Sequence, residues 1–109
     1  MKHIGGGRMI HSRAADLAKW RTLIGFSAKQ AGCTPVDGPI IISMRFRLKR
    51  PKTVKRERPT VPPDLDKLVR GVNDALTGIA FIDDSQIVSI TTTKEYSDIP
   101  GVDITVDCE

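Results

Sequence analysis

The hydrophobic pattern of this chain predicts an α+β domain, with helices packed on one face of a mixed β-sheet. Three observations carry that reading. Residues Ile40 to Leu48 alternate apolar and polar, the period of a half-buried strand. Leu65, Leu68, Val69, Val72, Leu76 and Ile79 form an apolar stripe at helical spacing. The order that results along the chain is helix, strand, long loop, helix, hairpin.

Each element follows from its residues. Residues 1–9 are glycine-rich, with Gly5-Gly6-Gly7 in a row, and are expected to be flexible. From Ser12 to about Ala31, Ala14, Leu17, Ala18, Leu23 and Ile24 recur with helical period around Trp20 and Arg21; Ser12 is the N-cap and Gly32 the stop. Thr34 to Pro39 is a turn. In the strand that follows, Ile40, Ile42, Met44, Phe46 and Leu48 make the apolar face, and Ser43, Arg45 and Arg47 point the other way. Residues 50–63 read as a basic loop, with Pro59, Pro62 and Pro63 at its end and no apolar periodicity. It is longer than most connections, the mark of a functional or disordered loop. A second helix starts at Pro63 or Asp64 and ends at Leu76 or Thr77, before Gly78. Gln86 to Tyr96 is a strand, Ser97 to Gly101 a turn, and Val102 to Val106 the last strand.

With 109 residues the chain has room for a single domain over residues 1–109 and one modest core. Aromatic residues make up only 5%, so Val, Ile, Leu and Ala must fill that core, and a homodimer would bury further surface. Cys33 and Cys108 match no metal spacing and are expected to be reduced. No apolar run approaches the roughly 18–20 residues of a membrane span. The start shows glycines where a signal peptide needs an apolar stretch. A soluble cytoplasmic protein with no membrane partner is expected.

The net charge of +4 matters less than its distribution. Arg45, Arg47, Lys49, Arg50, Lys52, Lys55, Arg56 and Arg58 face the single acid Glu57 over one stretch, while Asp64, Asp66, Asp74, Asp83 and Asp84 gather after it. A basic arm beside an acidic cluster suits a protein that grips phosphates with one part and holds a metal with another. Arg45 and Arg47 could equally be the solvated face of an edge strand. The dense run from Lys49 to Arg58 is better read as a phosphate contact.

Asp64 and Asp66 would sit roughly 200° apart on a continuous helix. With Asp64 as a non-helical N-cap its side chain can turn towards Asp66, and the strand beginning near Asp84 can bring a third carboxylate to the same point. Three carboxylates without histidine or cysteine suit Mg²⁺ or Mn²⁺ rather than zinc. The bland alternatives are a helix cap at Asp64, an Asp66–Arg70 pair one turn apart, and turn residues at Asp83-Asp84. Spacing alone leaves both readings open. His3 and His11 have no ligand partners at useful spacing, the glycine run precedes no Lys-Ser/Thr pair, and no Ser-His-Asp set is supported.

The run PPDLDKLVRGVNDALTGIAFIDDSQIVSI, from Pro62 to Ile90, resembles the signature of the RusA-type crossover junction endodeoxyribonucleases. The matching features are Asp-x-Asp opening a helix, a basic residue four positions on, Asp-Ala-Leu near its end, and Asp-Asp-x-Gln leading into a strand. Lys94-Glu95-Tyr96 and Pro100-Gly101-Val102 are also similar. The likeness is close from about Thr60 onward and looser over the preceding strand and loop. It implies a homodimer that binds four-way junctions or other branched DNA and nicks paired strands symmetrically with Mg²⁺. By position, Asp64, Asp66 and Asp84 would hold one or two Mg²⁺ (or Mn²⁺), with Asp83 adjacent. Arg70 stands where the family usually has a catalytic lysine. A phage or prophage origin, and so a host cytoplasm, is also implied.

This chain has Lys67 where the family commonly has asparagine, and only a glycine-rich stub where family members have a first strand. A sheet one strand short is therefore expected, and Lys67 is a further cation that could hold DNA phosphate or weaken metal binding. The reading is metal-assisted phosphodiester hydrolysis, with Arg70 donating hydrogen bonds to the phosphoryl oxygens rather than a proton. The alternative is a non-catalytic branched-DNA-binding protein on the same scaffold. A structural protein, with the acids as caps and turns, would show no salt-dependent DNA affinity.

Overall fold

Ile40, Ile42, Met44 and Phe46 are buried, while Ile41, Ser43 and Arg45 between them are exposed, so the clearest strand of the chain has one dry face and one wet one. In the computed structural model, which describes residues 2–7 and 17–109, that strand lies inside a four-stranded sheet. The elements are β1 (Lys2–Gly7), α1 (Leu17–Gln30), β2 (Ile40–Leu48), α2 (Leu65–Leu76), β3 (Ile87–Tyr96) and β4 (Gly101–Cys108). A single 3₁₀ turn, Asp84–Gln86, precedes β3. The sheet order is β1-β4-β2-β3; β2 and β3 are parallel and the other neighbours antiparallel. This is the expected α+β architecture with a mixed sheet.

The core is one layer between that sheet and the two helices. Val102, Ile104 and Val106 of β4 join the buried set of β2, and Ile24 and Ala28 of α1 with Leu68, Val72 and Leu76 of α2 close over them. The helices touch each other where Gly25 meets Ala75 and Ile79: a Cβ at Gly25 would lie 3.2 Å from Ile79 Cδ1. Gly78, at φ +84°, takes the left-handed conformation that ends α2, as its position after the apolar stripe requires. Phe81, fully buried, anchors the link from α2 to β3.

Parallel neighbours cannot be joined by a tight turn, so the chain must cross over between β2 and β3. Residues 49–64 and α2 make that crossover. The helix therefore starts level with the C-terminal end of β2 and returns to the N-terminal end of β3.

Two expectations are corrected. The glycine-rich start, read as a flexible stub that leaves the sheet short, supplies β1: Lys2 pairs with Val106, His3 with Thr105, Ile4 with Ile104 and Gly7 with Val102. Ladder hydrogen bonds need no side chains, and the register breaks between Ile4 and Gly7, where glycines admit an irregularity. The last two strands form no hairpin, because β2 lies between them. β4, buried at Val102, Ile104 and Val106, belongs in the middle of the sheet, whereas β3, with Ser89 to Thr91 and Thr93 exposed, takes its edge. The first helix is described from Leu17; its expected cap at Ser12 and its Ala14 lie outside the described residues. Among the described residues no helix is long and apolar enough to cross a membrane.

Candidate active site

Asp64 opens α2 with extended backbone, φ −70° and ψ 140°, and its carbonyl accepts the N–H of Leu68 at 3.1 Å. Its carboxylate makes no cap hydrogen bond. That removes the blandest reading of the residue, since a capping aspartate spends its oxygens on the helix. The nearest charge is Lys67, with Nζ 3.7 Å from Oδ2, and both side chains are largely exposed. Asp66, in the first turn, is exposed and has no ion-pair or hydrogen-bond partner among the described residues, so the expected pairing with Arg70 is not made. Arg70, one turn later, is likewise exposed and unpaired among the described residues. Asp74 is engaged elsewhere, 3.6 Å from Arg21 of α1.

The second acidic group is built differently. Gln86 organises it through all four of its amide valences. Oε1 accepts the N–H groups of Ile82 and Asp83, both at 2.8 Å, and Nε2 donates to the carbonyls of Val36 at 2.9 Å and Gly38 at 3.0 Å. The Asp83-Asp84 turn is thus fastened to the turn that leads into β2. The Ser85 hydroxyl donates to Asp83 Oδ2 at 2.8 Å, and with the Ser85 backbone it holds the Asp83 carboxyl below its ordinary range. Asp83 is therefore partly committed to its own turn, which leaves Asp84 the freer carboxylate. Gln86→Leu, which strands two carbonyls and two N–H groups, should lower stability by about 1–3 kcal/mol in a denaturant melt.

The two groups do not meet within one chain. α2 has 12 residues and spans about 18 Å, with Asp64 and Asp66 at its start and Asp83 and Asp84 beyond its end. Among the described residues no three His, Cys, Asp or Glu side chains converge to hold a metal ion. The expected return of the third carboxylate to Asp64 is corrected here. β3 starts at the end of the sheet opposite the one where α2 begins, because β2 and β3 are parallel.

The basic residues also divide. Arg45 and Arg47 lie on the wet face of β2, which is a central strand and not an edge. Arg45 is ion-paired with Glu95 and lies 4.0 Å from Asp103; Arg47 contacts Asp103 at 3.2 Å and donates to the Ile99 carbonyl at 3.0 Å. Both guanidinium groups are thus engaged by carboxylates of the neighbouring strands. Arg50 stacks 4.9 Å above the Tyr96 ring centroid, and Arg56 donates to the Tyr96 hydroxyl at 2.7 Å. Lys49, Lys52, Lys55 and Arg58 are exposed and without a partner among the described residues. The loop that carries them leads straight into Asp64.

Sequence reasoning assigned no role to Lys94, Tyr96 or Gln86, although all three lie in stretches that bear the family resemblance. Lys94 Nζ donates to the carbonyls of Val61 at 2.8 Å and Pro63 at 2.9 Å, so β3 holds the loop immediately before Asp64. Pro59 is fully buried in the same loop. The free thiols Cys33 and Cys108 both line a cavity of about 150 Å³ with Val36, Ala80 and Val106, at the end of the sheet away from Asp64.

Comparison with known proteins gives two findings. The sequence model of the family described as Endodeoxyribonuclease RusA matches residues 1–107. The Uncharacterized protein YqaN of Bacillus subtilis (strain 168) is 35% identical over 85 residues, a match covering 67% of this chain and 60% of that relative. The chain thus spans less than two thirds of the length of this curated relative.

Proposed function

Because the chain belongs to the RusA endodeoxyribonuclease family, whose members act on branched DNA junctions, we propose that it is a divalent-metal-dependent endonuclease that resolves four-way junctions as a homodimer. The observation that supports this best is the end of the molecule where α2 begins. There two exposed carboxylates, Asp64 and Asp66, of which only Asp64 has a partner, the exposed Lys67, among the described residues, directly follow a loop with four cations unpaired among those residues.

The donor set fits a hard cation. Asp64, Asp66 and Asp84 offer only carboxylate oxygens, the ligands of Mg²⁺ and Mn²⁺. Two carboxylates from one chain are few for such a site, and the third lies about a helix length away. A twofold dimer reconciles the set. The outer edge of β3 is open, with Val88 61% and Ile90 42% exposed. Antiparallel pairing of two copies centred on Ser89 would bring Asp84 of one copy level with the Lys94 of the other that holds Pro63. Each site would then take Asp64 and Asp66 from one chain and Asp84 from its mate, with Asp83 behind it.

When bound, the metal would supply water activation and charge neutralisation at the scissile phosphate. The chain's own residues do the rest. Lys49, Lys52, Lys55 and Arg58 grip the backbone of the junction arms. Arg70, on the Asp66 side of α2, donates hydrogen bonds to phosphoryl oxygens as charge grows on them. Lys67 can leave Asp64 for a phosphate, since an exposed pair of this kind is worth no more than about 1 kcal/mol.

The second reading, junction binding without cleavage, is favoured by that same Lys67–Asp64 contact, which places a cation where a metal would sit. A cleavage assay decides between them. A synthetic four-way junction with Mg²⁺ should receive paired symmetric nicks, while a linear duplex and a metal-free control stay intact. Tight junction binding with no nicking in Mg²⁺ or Mn²⁺ would establish the binding protein instead.

A further inference from the structure

We infer that Lys94 is a positioning residue for the Asp64 carboxylate, acting through the backbone that delivers it; the inference rests on the metal-site reading above. Lys94 stands on the helix-facing side of the edge strand β3, opposite Phe46 in register. Its ammonium donates to two carbonyls, Val61 at 2.8 Å and Pro63 at 2.9 Å, and Pro63 is the residue before Asp64. Bonds from a charged donor are roughly twice as strong as neutral ones.

Asp64 has no comparable anchor of its own. Its carboxylate does not cap α2, and its one ion-pair partner among the described residues, Lys67 at 3.7 Å, is itself exposed. The location of that carboxylate is therefore set from upstream, by the fixed ring of Pro63 and the ammonium that holds its carbonyl. Upstream of Val61 the loop depends on a different residue of the same strand: Tyr96 carries Arg50 and Arg56. Strand β3 thus divides the work, with Tyr96 seating the phosphate-binding arm and Lys94 seating the carboxylate. Metal ligands need placement to within about 0.5 Å, and a carbonyl-anchoring ammonium one residue away is a device that can supply it.

The division predicts separable effects. Lys94→Met keeps the apolar stem and removes only the donors. Mn²⁺ binding by the full chain is measured without DNA, by the electron paramagnetic resonance signal of free Mn²⁺, and junction binding is measured in metal-free buffer. Asp64→Asn and Lys94→Met should each weaken Mn²⁺ by at least about tenfold, the usual consequence of disturbing a ligand's support. The double variant should be no weaker than Asp64→Asn alone, because Lys94 acts only through Asp64. Junction affinity of Lys94→Met should be unchanged.

If Lys94→Met binds Mn²⁺ like the wild type while Asp64→Asn does not, the positioning role is overturned and the metal site stands. Additive losses in the double variant would also overturn it, as general loosening of the fold. Unchanged Mn²⁺ binding in Asp64→Asn would remove the site reading and this inference together. Should Lys94→Met fail to fold, Lys94→Gln, whose shorter, uncharged amide loses the two bonds made at Nζ, is read by the same criteria.

Discussion

Asp66→Asn is expected to abolish junction nicking, a loss on the order of a thousandfold, while junction affinity is held or slightly raised. The asymmetry follows from what surrounds the residue. Asp66 is exposed, has no partner among the described residues, and buries nothing, so the amide costs the fold little. It sits in the first turn of α2, where an exposed negative charge favours the helix by about 0.3–1 kcal/mol. Removing that charge also removes repulsion against the phosphates gripped by the neighbouring loop. Single-turnover cleavage with Mg²⁺, beside equilibrium binding in metal-free buffer, separates the two effects. Equal loss of cutting and binding would mean that Asp66 supports the DNA-binding surface and is not a ligand.

The second large effect is on affinity. Replacing Lys49, Lys52, Lys55 and Arg58 together by alanine removes the loop cations that have no partner among the described residues. The slope of log affinity against log salt should fall by roughly 3–4, since each neutralised phosphate contributes about 0.9. Because Arg50 and Arg56 remain on Tyr96, the loop itself should stay seated. Arg45→Ala is the contrast. Its guanidinium is already paired with Glu95 and lies near Asp103, so neither affinity nor slope should move. A larger effect from Arg45 than from the four loop cations would relocate the DNA surface to the wet face of the sheet.

Which parts of this were readable from the residues follows from the range of the forces involved. β2 and α2 were legible to within a residue or two because alternation at Ile40–Leu48 and the stripe from Leu65 to Leu76 report burial directly. β1 was hidden because Gly5, Gly6 and Gly7 carry no side-chain pattern, and its pairing is made by backbone alone. The neighbours of β4 were misread as a hairpin, although one clue lay in the sequence. Val102, Ile104 and Val106 alternate as an interior strand does, whereas Thr91, Thr92 and Thr93 suit an edge.

That error had a functional consequence. Once β2, α2 and β3 are recognised as a parallel crossover, Asp64 and Asp84 must lie at opposite ends of α2, and no single chain can gather them. The ion pairs that occupy Arg45 and Arg47 depend likewise on strand order, since Asp103 of β4 lies opposite Arg45 of β2. Gln86 and Lys94 escaped for another reason. Their partners are the carbonyls of Val36, Gly38, Val61 and Pro63, and a carbonyl leaves no mark on a sequence.

The central claim is that each cutting site takes carboxylates from two chains, and subunit mixing tests it most directly. Asp66→Asn and Asp84→Asn chains are each purified, shown to be inactive, then mixed, refolded together and assayed on a four-way junction with Mg²⁺. In a shared site the hybrid dimer regains one complete set, with Asp66 from one chain and Asp84 from the other, so nicking at one strand per junction should return. A mixture as inactive as its parts, with hybrid dimers demonstrably formed, would contradict the shared site.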